Sequence, residues 1–248
     1  MLFFTIITGR YLLVSGLFYG IFYLWQPAKW KERKLSRKPY PAGQLKKEIK
    51  WSTLSSFIFA LAAALAWWLW QSGNTLVYTD ITRYGWWYLP VSLLLSMFIQ
   101  ETYYYWLHRL MHRKAIFSIV HKVHHDSITT SPFTAFSFHP IESVIQAIVL
   151  LVIPMVLPLH PLVILTQLTL MSLTSVINHL NIDIFPDSGA KKAMSKCMIG
   201  ATHHSLHHKK HQKNFGLYFT FWDKLLHTEY TPPAAAKVHS PAKEKMNA

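Results

Sequence analysis

Fifteen of the 248 residues are histidine, and nine of those lie in three short runs: HRLMH (108–112), HKVHH (121–125) and HHSLHH (203–208). A neutral imidazole is the commonest metal ligand among side chains, and an unperturbed histidine is mostly neutral near pH 7. The spacing is that of one helical face. His108 and His112 stand at i and i+4; His121, His124 and His125 at i, i+3 and i+4; His204, His207 and His208 repeat the second pattern. Residues so spaced lie one above another on a helix, and the wider stripe can reach two neighbouring metal ions. His179, in NHLNID, adds a donor from another direction. Nine donors exceed what one four- to six-coordinate ion uses, which favours two metals.

The remaining histidines read differently. His203 and His211 adjoin the last run but fall off its phase, as partners of the ligands or as surface residues. His139, His160, His227 and His239 are isolated, two of them before proline, and read as structural or loop residues. The single cysteine, Cys197, excludes an intrachain disulfide, a CxxC redox pair and a thiolate-rich metal site. HExxH is absent, because Arg109 follows His108, and so are the Glu-x-x-His pairs of soluble di-iron bundles. An imidazole-dominated site suits iron, with zinc and copper next. Glu101, two helical turns before His108, either orients a ligand imidazole or pairs with Arg109 or Arg113.

Elements that could position these residues are apolar. Half of the chain is hydrophobic, with ten tryptophans. Residues 3–25, 51–70 and 86–107 are long enough to span a bilayer, and the third becomes polar at Gln100, Glu101 and three tyrosines as it approaches the first histidine run. The first stretch reads as a retained helix, since no basic residue precedes it and it has no A-x-A site. Residues 141–178, broken by Pro154, Pro158 and Pro161, read as a hairpin of two helices, 141–157 and 161–178. The expected fold is an all-α integral membrane protein with four to five membrane helices and a helical cap that carries the histidines. The segment 28–50 holds nine Lys or Arg and 71–85 one, which places the first on the cytoplasmic side. The hairpin then keeps all the histidine runs on that face. The net charge of +14 falls in short clusters beside apolar stretches, which fits an anionic membrane surface and not nucleic acid. The tail after Tyr230 reads as disordered.

HRLMH, HKVHH and HHSLHH, with SPFTAFSFHPIE and NFGLYFTFWDKL around the third run, resemble the fatty acid hydroxylase and sterol desaturase superfamily, nearest the sterol C5-desaturase branch. The resemblance covers roughly 95–230, and it divides the chain into N-terminal membrane helices with a basic loop (1–94), a catalytic domain (95–230) and a tail (231–248). It implies a membrane-bound, non-haem di-iron enzyme in which O2 and two external electrons oxidise a lipid C–H bond. The implied ligands are His108, His112, His121, His124, His125, His179, His204, His207 and His208. Where the family has a second histidine after the one matching His179, this chain has Asp183, a possible oxygen ligand. Asn214 and Asp223 match positions that support the last run. A family-like Gly-Thr is here His227-Thr228.

Electrons must come from a separate cytochrome b5-like or ferredoxin-type donor, since no haem, flavin or ferredoxin segment is present. The membrane would be a bacterial inner membrane or the endoplasmic reticulum. The alternative reading is a membrane-embedded zinc hydrolase built on the same histidines, with Glu101, Asp126, Asp183 or Asp223 as the base it would need. A metal transporter would place ligands at mid-membrane instead, and a haem protein would leave most of the cluster unused.

Overall fold

The computed structural model describes residues 1–185 and 196–230. Among these residues every named element is helical, and the only β pairing is two isolated bridges, Lys34 with Ile182 and Met198 with Phe219. Helix α1 (Leu2–Tyr19) runs on through a π-helical turn to Trp25; α2 spans Gln44–Gln71 and α3 Tyr88–Met111. Two short helices follow, α4 (Lys114–Val120) and α5 (Lys122–His125), then the hairpin α6 (Pro140–Val156) and α7 (Pro161–Asn178), and finally α8 (Ala201–Lys210) and α9 (Phe221–Leu225). The expected disordered tail lies outside the described residues.

Both hairpin helices begin with proline at their first position, where the missing N–H costs nothing. The residues before them, His139 and His160, cap the helices: each Nδ1 accepts the backbone N–H two residues on. That gives these two isolated histidines a structural role. The turn between α6 and α7 pairs with the segment after α2, through Leu76 N–H to Pro154 O at 2.8 Å and Tyr78 N–H to Leu159 O at 3.1 Å. The ends of α3 and α7 that carry His108, His112 and His179 meet the other histidines at the opposite end of the bundle. The chain therefore doubles back, and all the histidine runs share one end.

Three helices are long and apolar enough to cross a membrane: α1 with its continuation, α2 and α7. This is fewer than the expected four to five. Helix α3 is long, but Gln100, Glu101 and its tyrosines interrupt the apolar run, and α6 has only 17 residues. Small hydroxyl residues tie the bundle to the segment after the second histidine run. Ser15 donates to Pro132 O, Tyr11 and Ser52 to Phe133 O, and Ser55 to Phe138 O. Such interhelical bonds satisfy polar groups where water is absent. Ser131–Phe136 closes on itself as a 3-10 turn, with Ser131 N–H donating to Thr134 Oγ1.

Candidate metal centre

The histidine runs fold into two groups. His108, His112, His121, His125 and His207 form one, and His124, His179, His204 and His208 the other; within each group a ring nitrogen from every residue lies within 4.8 Å of the rest. The i, i+4 pairs stay together, 108 with 112, 121 with 125, and 204 with 208. The residue at i+3 crosses to the other group, so that α5 and α8 each serve both. His121 sits at the junction of α4 and α5, and His112 and His179 cap the C-termini of α3 and α7.

Second partners fix which nitrogen faces inward. His108 Nδ1–H donates to Phe215 O at 2.8 Å, His179 Nδ1–H to Ser175 O at 2.7 Å and His207 Nδ1–H to Lys213 O at 2.7 Å. His121 Nδ1–H donates to Glu142 Oε1 at 2.8 Å, an oxygen that also accepts from Gln146 Nε2. In a neutral ring each such bond leaves Nε2 as a bare lone pair. Burial and the neighbouring imidazoles keep the rings neutral: His112 is pushed down to about 2, with its own burial the largest cause, and His121, His124, His125, His204, His207 and His208 lie well below the ordinary range.

The lone pairs converge. His108 Nε2 and His121 Nε2 stand 3.1 Å apart, and His179 Nε2 is 3.2 Å from that of His124 and 2.9 Å from that of His204. Two acceptors at this distance repel unless a cation lies between them. Nitrogens about 2.1 Å from one ion, at right angles, are about 3 Å apart. Buried His112 Nε2 also has no hydrogen-bond partner. The donor set thus fits two metal ions held by neutral nitrogen.

Other residues singled out in the sequence fall elsewhere. Asp183 joins neither group: Oδ2 accepts from Thr202 at 2.7 Å and Oδ1 from Phe185 N–H at 3.0 Å, so both oxygens are occupied. Glu101 neither touches a ligand imidazole nor pairs with Arg109 or Arg113. Its buried carboxylate takes the backbone N–H groups of Leu217, Tyr218 and Phe219 at 3.1, 2.7 and 3.4 Å. Asp223 holds the same loop, accepting from Phe215 N–H, Gly216 N–H and Thr228 Oγ1. The loop supplies the carbonyl that orients His108, so both carboxylates act on the centre through backbone. Asn214, in the left-handed region, ties His203 O to Tyr230. The His203 ring lies outside both groups, with no hydrogen bond to either nitrogen.

Two further carboxylates belong to the surroundings of the centre and escaped the sequence reading. One is Glu142. The other is Glu48, at the start of α2, which accepts from Gln44, Ser127, Ser131 and Thr134 and so clamps the segment that follows His124 and His125. Neither has a spacing that reveals it, because the partners that tie each to the centre, His121 for Glu142 and Ser127, Ser131 and Thr134 for Glu48, are remote in the chain.

A cavity ends at the second group. It is lined by Tyr103 and Tyr104 of α3, Val149 and Leu150 of α6, Met171 of α7 and Phe136, among others, and by His179 and His204. Counted out to its open mouth it holds about 710 Å³ of atom-free space. An apolar chamber leading to convergent nitrogen donors suits an apolar substrate.

The chain is 28% identical to a Delta(7)-sterol 5(6)-desaturase of Aspergillus fumigatus over 95% of its own length and 77% of the relative's. It is 30% identical to lathosterol oxidase of Mus musculus over 62% and 50%, and 27% identical to a Delta(7)-sterol 5(6)-desaturase of Candida albicans over 78% and 49%. The chain thus spans from about half to about three quarters of these relatives. No solved structure matches it significantly. The fatty acid hydroxylase family model matches residues 93–228, the stretch that holds both histidine groups and the loop behind them, and the chain belongs to the fatty acid hydroxylase family.

Proposed function

We propose that this chain is a membrane oxidoreductase that uses two iron ions, dioxygen and externally supplied electrons to hydroxylate or desaturate a lipid C–H bond. The observation that carries this reading is the convergence of two groups of buried neutral imidazoles, one of which contributes His179 and His204 to the lining of an apolar cavity. His108, His112, His121, His125 and His207 would hold one ion, and His124, His179, His204 and His208 the other. When bound, the metal pair supplies dioxygen activation and C–H oxidation, which side-chain acid–base chemistry does not reach. Hydroxylation consumes one O2, two electrons and two protons and gives the alcohol and one water. Desaturation consumes the same reactants, takes two hydrogens from the lipid and gives two waters.

The chain's own residues do the rest. The phenylalanine, valine and leucine walls bind the lipid and exclude water. The carbonyls of Phe215, Lys213 and Ser175, with Glu142, hold four rings in the ligating tautomer. Glu101 and Asp223 fix the loop that carries the first of those carbonyls. The relatives' names favour a sterol over an acyl chain as substrate. A cytochrome b5-like or ferredoxin-type protein on the cytoplasmic face would supply the electrons. The zinc hydrolase reading needs a carboxylate base at the metals, and among the described residues no carboxylate joins either group.

Elemental analysis of detergent-purified protein, with and without His124→Ala and His207→Ala, tests the reading. About two irons per chain, lost in the double variant, together with lipid oxidation that stops without dioxygen, is the expected result. Two zincs that resist exchange for ferrous iron, or full turnover under anaerobic conditions, would overturn it.

A further inference from the structure

The cavity meets the two histidine groups unequally. His179 and His204, both of the four-histidine group, form part of its lining; none of His108, His112, His121, His125 and His207 does. Tyr104 stands between. Its ring lines the cavity on one side and lies 5.0 Å from that of His108 on the other. Phe138 likewise lines the cavity and packs its ring 5.1 Å from that of His124, a member of the four-histidine group.

The edge of the five-histidine group lies among different residues. His112 is half-buried, and its ring lies 5.3 Å from that of Phe117 and 6.0 Å from that of His211, both half-buried themselves. Exposed Arg113, Lys114, Lys209 and Lys210 flank these rings in the chain. The surface beside this group is basic, where the cavity is mostly apolar. The ligand count runs the same way, since a six-coordinate ion on four imidazoles keeps two positions free and one on five imidazoles keeps one.

We propose that the two metal positions divide the reaction: the lipid C–H bond is oxidised beside the four-histidine position, and the five-histidine position never contacts the lipid. The proposal rests on the two-metal oxidase reading above and draws on the same dioxygen and external electrons. Tyr104 is the positioning residue that keeps the lipid from His108. The substrate is then a lipid whose oxidised carbon reaches His179 and His204 through an apolar channel.

The test needs no turnover. Full-length protein is loaded with Co(II), and 1-dodecylimidazole, an apolar chain ending in a metal ligand, is titrated while cobalt absorption is followed. Wild type should hold two cobalts and show a shift in one. His112→Ala with His125→Ala should keep one cobalt and the shift, whereas His204→Ala with His208→Ala should keep one cobalt and bind the probe at least about tenfold more weakly. Leu150→Trp, which fills the cavity and touches no ligand, should keep both cobalts and lose the shift. A shift that survives in Leu150→Trp, or that follows the five-histidine cobalt, overturns the division and leaves the two-metal reading intact. Fewer than two cobalts in wild type overturns both.

Discussion

Glu142 offers the sharpest test of how the centre is held together. Its Oε1 accepts His121 Nδ1–H at 2.8 Å, and both side chains are completely buried. Glu142→Leu removes that acceptor while keeping an apolar side chain in the site. The imidazole then has two options. It can keep the Nδ1 proton unpaired in a dry site, at a cost of about 1–3 kcal/mol, or move the proton to Nε2 and lose the lone pair that faces His108. Either route weakens the five-histidine position, and partners of metal-bound histidines typically contribute about 10–100-fold in affinity, or about 1.4–2.7 kcal/mol. Competition with a chromophoric chelator should therefore strip one ion from Glu142→Leu at concentrations that leave the second in place. Glu142→Gln, whose amide oxygen still accepts, should recover most of the affinity. Wild-type retention of both ions in Glu142→Leu would refute the argument that this carboxylate sets the tautomer of His121.

Other consequences concern the loop behind the centre and its acid response. A Cβ at Gly216 would stand 2.5 Å from Phe219 O, 3.1 Å from Glu101 Oε1 and 3.2 Å from Asp223 Oδ2, so Gly216→Ala should destabilise the protein by about 1–3 kcal/mol, read as a lower unfolding midpoint. Glu101→Leu leaves three backbone N–H groups without their acceptor and should cost about 3 kcal/mol or more by the same readout, with Glu101→Asp milder. Burial pushes His108 and His179 down to about 4, below the value near 6.5 of an unfolded chain. The unfolded state then takes up protons first. Metal-free protein should keep its full stability above about pH 6.5 and lose up to about 1.4 kcal/mol per pH unit per histidine between there and about pH 4; a flat denaturation midpoint across that window would contradict it. Asp183→Ala should leave metal content at the wild-type level, because both carboxylate oxygens already serve Thr202 and Phe185.

The sequence by itself marked the histidines that gather into the two groups. Imidazoles at i, i+3 and i+4 lie near one another when the chain is helical, and a chain with one cysteine has no thiolate-rich site to offer a metal. The prolines at 140 and 161 likewise stand at the starts of α6 and α7, the position where a missing backbone N–H costs nothing. The tertiary structure decided the rest. Which histidines fall into one group depends on the imidazoles of α5 and α8 coming into contact, so that His124 leaves the group of its neighbours His121 and His125. The roles of Glu101 and Asp183 were set by remote partners: three N–H groups more than 100 residues away for one, Thr202 for the other. Glu142 and Glu48 left no trace in the spacing, since a carboxylate that orients a ligand or clamps a loop needs only proximity in space. Helical periodicity is a local property of the backbone and can be read along the chain. Convergence on a common point is a property of packing, and it exists only once the helices have come together.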